Sequence, residues 1–441
     1  MLLAKKYIKV KNTATFLIED FDEFKMKMLN WANQFSIFCL LDNHQYRFET
    51  PAFECLLAVG CKYSVVASAG NAFEQLKTFS NQHAGWLFGH LGYDLKNETE
   101  KLHSKNFDGI NFPDAHFFVP QYVLRLNAGE LTIFSEANVQ EIFLAITSCS
   151  PVLPSHPGSP INIKSRINYQ EYIDTVVKLQ GHILRGNCYE INFCQEFFAE
   201  NTTIQAVEVY RKLTAVSPMP FAALYKLHDK YAICASPERY IKKSGSKLIS
   251  QPIKGTAKRN LLDGRQDENN RVQLAESEKE KAENVMVVDL VRNDLSKICR
   301  QGSVKTGELF GIYTFPQVHQ MISTVSGDLE NDTHWVDIVK ATFPMGSMTG
   351  APKKRVMELI EQVEKTKRGL FSGAIGYIQP GGDFDFNVVI RSILYDAATG
   401  YLSFQAGSAI TFNCDAVSEY EECQLKAASI KNILAYVPGF A

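Results

Sequence analysis

Two pairs of glutamates in the C-terminal half of the chain have a spacing that could serve a divalent cation. Glu280 and Glu283 lie three residues apart in KEKAENVMVVDL, and Glu419 and Glu422 do so in SEYEECQLKA. Because residues three apart share a helix face, each segment can present two carboxylates together. Two such faces in contact would suit Mg²⁺, whereas on separate surface helices the pairs would only stabilise a first helical turn. The spacing alone favours the surface interpretation, since such pairs are common.

Two further residues could take part in covalent or acid–base chemistry. Lys254 stands between Ile253 and Gly255 in QPIKGTAKR, where burial would lower its pKa and free a neutral amine to act as a nucleophile. Glu238 follows the apolar segment 231–235, where burial would raise its pKa and suit a general acid. Taken singly, a surface lysine and a turn glutamate explain the same residues more simply.

Two glycine-containing segments could bind an anion. Residues 343–355, FPMGSMTGAPKKR, lead into a predicted helix, and free backbone N–H groups at a helix N-terminus attract carboxylates. Gly407, Ser408 and Ala409 follow the predicted strand 402–405 and could form a second anion-binding nest. Neither segment has the Gly-Lys-Ser/Thr pattern of a nucleotide-binding loop, and an ordinary turn would also explain each of them.

The composition of the 441 residues is that of a protein with a large core, with 45% hydrophobic and 21% charged residues. A formal net charge of −2 argues against a nucleic-acid partner. No segment is long and apolar enough to span a membrane, and the first residues lack the apolar run of a signal peptide. The ten cysteines contain no CxxC pair, which indicates reduced thiols. We therefore expect a cytoplasmic enzyme that binds neither nucleic acid nor membranes.

The segments that must position these residues combine helices with antiparallel strands. Apolar residues at helical spacing predict helices over 169–184, 285–295 and 356–363. Turn residues predict a hairpin from 374–378 through Pro-Gly-Gly into 388–394. Helices and hairpins that occur in blocks predict an α+β fold and not a doubly wound parallel sheet.

A proline-rich stretch divides the chain. Four prolines recur every third residue between positions 151 and 160, a spacing that favours polyproline II. We place an N-terminal region at 1–147, a connector at 148–163 and a C-terminal region at 164–436. A proline-rich loop can also cross one face of a single domain, so the connector need not separate independent units.

Nine segments in a fixed order resemble the chorismate-utilising enzymes, which include anthranilate synthase component I, aminodeoxychorismate synthase component I, isochorismate synthase and salicylate synthase. The match covers the whole C-terminal region and, more loosely, GHLGYD at 89–94. The resemblance implies antiparallel β-sheets packed as a sandwich core, with helices on the outside. The segments are GNCYEINF (186–193), ASPERY (235–240), QPIKGTAKR (251–259), ENVMVVDLVRNDL (283–295), FPMGSMTGAPKKRVMELI (343–360), GLFSGAIGY (369–377), VVIRSI (388–393), QAGSAI (405–410) and EYEECQLKA (419–427).

The resemblance implies a role for each candidate residue. Glu283 and Glu422 would hold Mg²⁺ against the ring carboxylate of chorismate, with Glu280 and Glu419 close behind. Arg391 would bind the enolpyruvyl carboxylate as a bidentate partner. Further positions that bind the substrate or line its pocket are Glu190, Gln320, Thr349, Phe371, Gly407, Ser408, Ala409 and Lys426.

Several residues distinguish among the activities of the family. The PIKGT segment resembles aminodeoxychorismate synthases, so Lys254 would attack ring C2 while Glu238 protonates the departing C4 hydroxyl. Gln320 stands where relatives have a histidine that is linked to loss of pyruvate, and Phe371 stands in place of a pocket tyrosine. At Glu190, relatives that use water carry a lysine base. The resemblance therefore favours amination to 4-amino-4-deoxychorismate for 4-aminobenzoate and folate synthesis.

Two alternatives stay open, namely anthranilate synthase component I and a non-catalytic regulatory paralogue. The second is suggested by Asn284, which stands where many relatives have histidine, together with the changes at Gln320 and Phe371. The sequence contains no Gly-x-Cys-x-Gly nucleophile turn of a glutaminase. We therefore expect the ammonia to come from a separate glutamine amidotransferase subunit.

Overall fold

The computed structural model describes residues 12–46, 52–151 and 161–435. The strands, in chain order, are β1 (Asn12–Leu17), β2 (Ile37–Asp42), β3 (Cys55–Val59), β4 (Tyr63–Ala67), β5 (Leu87–Leu91), β6 (Ala115–Val119), β7 (Tyr122–Asn127), β8 (Glu130–Ser135), β9 (Lys164–Ser165), β10 (Glu190–Ala199), β11 (Phe221–Leu227), β12 (Lys230–Ser236), β13 (Arg239–Ser244), β14 (Lys247–Gln251), β15 (Ile253–Lys258), β16 (Lys305–Thr314), β17 (Val318–Asp328), β18 (Gly350–Ala351), β19 (Ala374–Ile378), β20 (Phe384–Asn387), β21 (Ser392–Asp396) and β22 (Tyr401–Ile410).

Helices alternate with these strands along the chain. They are α1 (Phe21–Ala32), α2 (Ala72–Gln82), α3 (Lys96–Glu100), α4 (Val139–Thr147), α5 (Tyr169–Leu184), α6 (Ala206–Val216), α7 (Gly264–Glu276), α8 (Glu278–Ser296), α9 (Trp335–Thr342), α10 (Lys353–Val363) and α11 (Ala416–Ala435). Short 3₁₀ turns cover Tyr93–Leu95 and Gly346–Met348. In the part of the chain that the structure describes, no helix is both long enough and apolar enough to cross a membrane.

The strands form two antiparallel sheets. The larger has the order β1-β8-β7-β3-β2-β11-β12-β21-β22-β10-β18, with β9 also paired to β10. The smaller has the order β15-β17-β14-β13-β20-β19-β5-β6-β4, with β16 also paired to β17. Each sheet joins strands from both sides of the proline-rich stretch, through the pairs β2–β11 and β5–β19. The two regions of the sequence therefore share sheets, while the connector's residues 152–160 lie outside the described part and the domain boundaries stay a prediction.

Two hydrophobic cores lie on opposite faces of the larger sheet. On β2, Ile37 and Cys39 belong to a core that also contains residues of the smaller sheet. Phe38 and Leu40, on the opposite face of the same strand, belong to a second core with helices α1, α4, α5, α6, α10 and α11. The α+β prediction, with helices outside antiparallel sheets, is confirmed.

Two local predictions are wrong. The strand that follows the turn after Ile378 is Phe384–Asn387, and residues 388–391 leave the smaller sheet before β21 begins in the larger one. Residues 407–409 form no nest, because β22 continues through them in register with β10. In the first case the chain passes from one sheet to the other. In the second, β22 continues along β10 beyond the end of its pairing with β21. Local turn signals predict neither.

The helices that carry the candidate carboxylates begin at polar caps. The Ser277 hydroxyl accepts a hydrogen bond from the backbone N–H of Glu280, and this cap separates α7 from α8. At the start of α11, the Asp415 carboxylate accepts one from the backbone N–H of Ser418. These caps define where the two helices begin. The position of each helix start determines which face presents Glu280, Glu283, Glu419 and Glu422.

Candidate active site

Lys254, whose side chain is 10% exposed, and the buried Glu190 form the centre of the candidate site. Lys254 lies on β15 at an irregularity of its pairing with β17, and Gly255 follows with a φ of 91°, a conformation that favours glycine. Lys254 Nζ donates a hydrogen bond to Glu190 Oε1 at 2.7 Å. Glu190 is the first residue of β10, and its other carboxylate oxygen, Oε2, is buried without a hydrogen-bond partner. An unsatisfied buried oxygen of this kind is typical of a site that awaits a ligand.

The expected lowering of the Lys254 pKa is not found. Burial lowers the pKa of Lys254, but the carboxylates of Glu190, Glu283 and Glu422 outweigh it and raise the pKa above its ordinary value. Without substrate, Lys254 is therefore an ammonium ion. Burial alone predicts a lowered pKa, but the three carboxylates around this amine come from β10, α8 and α11, which are distant from Lys254 in the sequence.

Glu238 has the environment of a general acid. It lies between β12 and β13, is 4% exposed, and its Oε1 accepts a hydrogen bond of 2.6 Å from the Ser347 hydroxyl. Burial raises the pKa of Glu238 to about 7, although Ser347, Lys254 and Arg391 act in the opposite direction. At neutral pH this carboxyl is divided between its protonated and ionised forms, as efficient proton transfer requires.

Arg391 supplies a positive charge that has no carboxylate partner among the described residues. It has a φ of 52° in the segment between β20 and β21, and its Nη1 lies 4.0 Å from the sulfur of Met219. No carboxylate among the described residues lies within ion-pair distance of it. Burial lowers the pKa of Arg391 to about 10, against the raising effect of Glu238. A substrate carboxylate would restore the charge balance.

The glutamates of α8 and α11 approach one another. Lys279 of α8 contacts a glutamate of each helix, and Lys426 pairs with a glutamate of its own helix, α11. Lys279 Nζ lies 3.3 Å from Glu419 and 3.9 Å from Glu283, and Lys426 Nζ lies 2.7 Å from Glu422. The surface-helix interpretation therefore does not apply to Glu283 and Glu419, which are 8% and 2% exposed.

The cluster fits a divalent cation in chemistry but not as a closed site. Burial raises the pKa of Glu283 to about 7 against the charge of Lys254, and the carboxylates of Glu190 and Glu280 add to the rise. Lys254 and Lys279 already supply positive charge here, and the carboxylate oxygens are the donors that Mg²⁺ prefers. In the described part of the chain, no three His, Cys, Asp or Glu side chains are grouped tightly enough to hold a metal by themselves.

The remaining predicted residues differ in whether their polar atoms have hydrogen-bond partners within the protein. Gln320, on β17, is 1% exposed and neither atom of its amide has a hydrogen-bond partner, so its polar end is available to a ligand. Lys426 donates to the carbonyl of Gly407 at 3.0 Å. By contrast, the Ser408 hydroxyl lies 3.2 Å from the Tyr172 hydroxyl, so it already has a hydrogen-bond partner within the protein.

Thr349, Phe371 and Ala409 are all buried. The Thr349 hydroxyl donates to the carbonyls of the preceding turn, and its own carbonyl accepts from the backbone N–H of Asn192. Phe371 belongs to the core shared by the two sheets. Ala409 is paired with Asn192 in the register of β22 and β10.

Sequence reasoning missed the side chains that hold the loop 343–352. The Lys353 ammonium donates to Asp294 and to the carbonyls of Thr342 and Pro344. Arg368 donates to the carbonyl of Met348 at 2.6 Å and pairs with Glu364. The Lys353–Asp294 and Arg368–Met348 contacts join residues 59 and 20 positions apart, and no local motif predicts them.

A profile of the family described as chorismate binding enzyme matches residues 37–432. The chain belongs to this family. The resemblance inferred from the nine segments is therefore confirmed, and the protein is a chorismate-utilising enzyme.

Two relatives in this family are named aminodeoxychorismate synthases. Aminodeoxychorismate synthase component 1 from Klebsiella aerogenes is 33% identical over 342 residues, which cover 77% of this chain and 74% of the relative. A probable chloroplastic aminodeoxychorismate synthase from Oryza sativa subsp. japonica is 35% identical over 386 residues. The alignment covers 78% of this chain but 42% of the rice protein, so the chain spans less than half the length of that relative.

A solved structure agrees with the fold. The crystal structure of anthranilate synthase component I from Streptococcus pneumoniae TIGR4 matches with a TM-score of 0.77 and 26% identity, over 88% of this chain and 94% of that chain. Family and fold are thereby established, while the relatives differ in the product that their names imply.

Proposed function

We propose that this chain is an aminodeoxychorismate synthase component that converts chorismate and ammonia into 4-amino-4-deoxychorismate, the precursor of 4-aminobenzoate in folate synthesis. The observation that carries the proposal is Lys254, whose side chain is 10% exposed, hydrogen-bonded to Glu190 and close enough to Glu238 to influence its pKa. An amine nucleophile and an acid in one pocket are what a double displacement requires. The relatives named aminodeoxychorismate synthase support the same activity.

Chorismate would be bound through its two carboxylates. Arg391, which lacks a carboxylate partner among the described residues, suits the enolpyruvyl carboxylate. Glu283 and Glu422 would hold Mg²⁺, with Glu280 and Glu419 behind them. The bound ion would neutralise the ring carboxylate and withdraw electron density from the ring as a Lewis acid.

The first displacement uses Lys254. Its ammonium loses a proton, for which Glu190 Oε1 at 2.7 Å is the nearest acceptor. The neutral amine bonds to ring C2, the ring double bonds shift, and the C4–O bond breaks. Glu238 gives its proton to the departing hydroxyl, which leaves as water.

The second displacement uses ammonia. Ammonia bonds to C4, the double bonds shift back, and the C2–N bond to Lys254 breaks. Lys254 departs as a neutral amine and recovers its proton from Glu190, while Glu238 regains a proton from solvent. One ammonia is consumed and one water released, and the nitrogen ends on the carbon that lost oxygen.

Gln320 favours this product over anthranilate. Formation of anthranilate needs a base that removes a ring proton as pyruvate leaves. A carboxamide does not take up a proton at neutral pH, so Gln320 can bind the substrate but cannot act as that base.

The ammonia and its source are also proposals. We infer a separate glutamine amidotransferase subunit as the supplier and the cytoplasm as the site of action. The free state of all ten cysteines agrees with a reducing compartment.

The deciding experiment resolves the products formed from chorismate, ammonium and Mg²⁺ by chromatography. We expect a 4-amino product that a separate lyase converts to 4-aminobenzoate, and no fluorescent anthranilate. Chorismate without ammonia should leave an adduct on the Lys254 peptide, seen as a mass increase. Anthranilate as the main product would overturn the proposed function.

Variants of the strand that carries Lys254 provide the controls. Lys254→Ala should abolish amination at C4 and the adduct, and Lys254→Arg should not restore them, because guanidinium stays protonated. Lys258→Ala changes an exposed lysine on the same strand and should behave like the wild type. A Lys254→Ala enzyme that still makes the 4-amino product would eliminate the covalent route.

A further inference from the structure

The acid Glu238 has one side-chain hydroxyl against its carboxyl group. Ser347 Oγ lies 2.6 Å from Glu238 Oε1, and the two residues are 5% and 4% exposed. The Glu238 backbone is fixed as well, since its N–H donates to the Ser236 hydroxyl and its carbonyl accepts from the N–H of Val388. The backbone from which the carboxyl extends is therefore fixed beside Ser347.

Ser347 lies in a tight turn of the loop 343–352, and three side chains donate hydrogen bonds to the carbonyl groups of this loop. Asn192 Nδ2 donates to the carbonyl of Ser347 itself at 3.0 Å. Arg368 donates to the next carbonyl, that of Met348, at 2.6 Å, and Lys353 donates to the carbonyl of Pro344 at 2.7 Å. These contacts come from β10, from the segment after α10 and from α10, so the backbone of Ser347 is held in place independently of Glu238.

We propose that Ser347 is a positioning residue for the acid step: its hydroxyl fixes which oxygen of Glu238 carries the acidic proton and stabilises the carboxylate that remains after the proton has gone. The inference rests on the proposed role of Glu238 as the acid. Because Oε1 accepts the bond from Ser347, the proton of the neutral carboxyl lies on Oε2. When the Oε2–H bond breaks and the proton joins the departing hydroxyl, the bond at Oε1 becomes charge-assisted and strengthens. Ser347 keeps its own proton throughout.

The charged groups that face Glu238 are few. Lys254 on β15 and Arg391 before β21 both favour its ionised form, as does a hydrogen bond from the backbone of Ile253. Burial opposes all of them. Ser347 is the largest of the opposing contributions, so its removal is the change to which the acid should be most sensitive.

The test titrates Glu238 directly in the substrate-free protein, by carbon NMR of side-chain-labelled glutamate, with Glu238→Gln used to assign the signal. In Ser347→Ala the titration midpoint should rise by about one pH unit or more, since hydrogen bonds to charged groups are worth that much. Ser347→Thr, which keeps the hydroxyl, should restore the wild-type midpoint. Should Ser347→Thr fail to fold, Ser347→Cys, with its weaker donor, should give a midpoint between those of wild type and Ser347→Ala.

A matched control and a kinetic readout complete the design. Ser250→Ala removes an equally short bond of 2.6 Å, donated to the carbonyl of Tyr240 away from Glu238, and should leave the midpoint unchanged. The upper pH limit for adduct formation at Lys254 should move with the Glu238 midpoint. An unmoved midpoint in Ser347→Ala, or a Thr variant that behaves like Ala, would overturn the proposal. Because the titration needs no turnover, an unexpected reaction product would contradict the proposed function and leave this inference standing.

Discussion

The pKa values of Glu238 and Arg391 both deviate toward the neutral form. Burial raises the pKa of Glu238 to about 7 and lowers the pKa of Arg391 to about 10. Their mutual attraction opposes both changes but does not reverse them. At neutral pH Arg391 therefore stays charged while Glu238 is partly neutral, so at the scale of single residues the pair carries a net positive charge that suits an anionic substrate.

The pH dependence of turnover should reflect Glu238. A carboxyl with a raised pKa is protonated below that pKa, so the acid form is available at pH 6 and is lost as pH rises through about 7. With the concentration of free ammonia held constant, kcat should fall above that pH. Glu238→Gln should remove most activity at every pH, and a Gln variant with wild-type kcat would show that another group is the acid.

Substitution of Arg391 should weaken substrate binding. Arg391→Met keeps the length of the side chain but removes the cation, and a charge-assisted contact contributes about 1.5–3 kcal/mol. KM for chorismate should therefore rise by roughly 10- to 100-fold, with a smaller change in kcat. Lys431→Met, which changes a lysine of α11 that lies over the ring of Phe197, serves as a control with no expected effect on KM.

At the scale of elements, periodic segments could be predicted from the sequence and contacts between sheets could not. Helix α5 extends over Tyr169–Leu184 as predicted, because an apolar stripe and the Asn168 cap mark it locally. The path through residues 388–391 was mispredicted, since it depends on which sheet receives β21. The carboxylate pair of Glu280 and Glu283 could be found from its spacing, whereas Ser347 and Arg368 act through distant partners and have no local signature.

Helix α8 offers a direct test of the metal proposal. Glu283→Gln keeps the shape of a buried side chain but removes a donor charge, so turnover at saturating ammonium should fall by more than tenfold and need more Mg²⁺. Glu278→Gln alters a residue that is 91% exposed on the same helix and should have no effect. Equal activity of the two variants at low Mg²⁺ would show that the pair serves only the helix.

At the scale of the whole molecule, the core shared by the two sheets contains two histidines that make the stability of the fold depend on pH. His90 and His116 are buried there, and His116 Nδ1 lies 2.6 Å from the Tyr225 hydroxyl. Burial lowers the pKa of His90 to about 4 and that of His116 to about 3. Both rings are therefore neutral in the folded protein at any pH at which it works.

The fold should consequently be sensitive to acid. Unfolded histidine takes up a proton near pH 6.5 and these two do not, so the stability they contribute is complete above that pH and is lost as pH falls toward 4. Each should cost roughly 2 kcal/mol between pH 7 and pH 5, measured by urea unfolding. His90→Gln should reduce this loss, while His103→Gln at an exposed position should not; an identical loss in both variants would contradict the assignment.

The buried ion pair of Arg368 and Glu364 should contribute to the free energy of unfolding as much as a buried apolar side chain does. Arg368 and Glu364 are 3% and 5% exposed, and Glu364 also accepts the backbone N–H of Cys194. Arg368→Met would leave Glu364 without its partner, which costs about 3–5 kcal/mol in buried pairs. Thermal unfolding should show the loss, and the double change with Glu364→Gln should recover part of it. A single variant as stable as the wild type would mean that solvent reaches the pair.

The sharing of both sheets by distant parts of the chain also bears on how the protein is made. Strand β5 ends at Leu91, but its neighbour β19 begins at Ala374, about 280 residues later. At about 5–20 residues per second, a ribosome needs on the order of 15 to 60 seconds to deliver that neighbour. During this interval the nascent N-terminal strands expose an unpaired edge, and such edges are where chains join one another wrongly. Translation speed and chain concentration, more than the stability of the finished protein, should therefore decide how much of it reaches the native state.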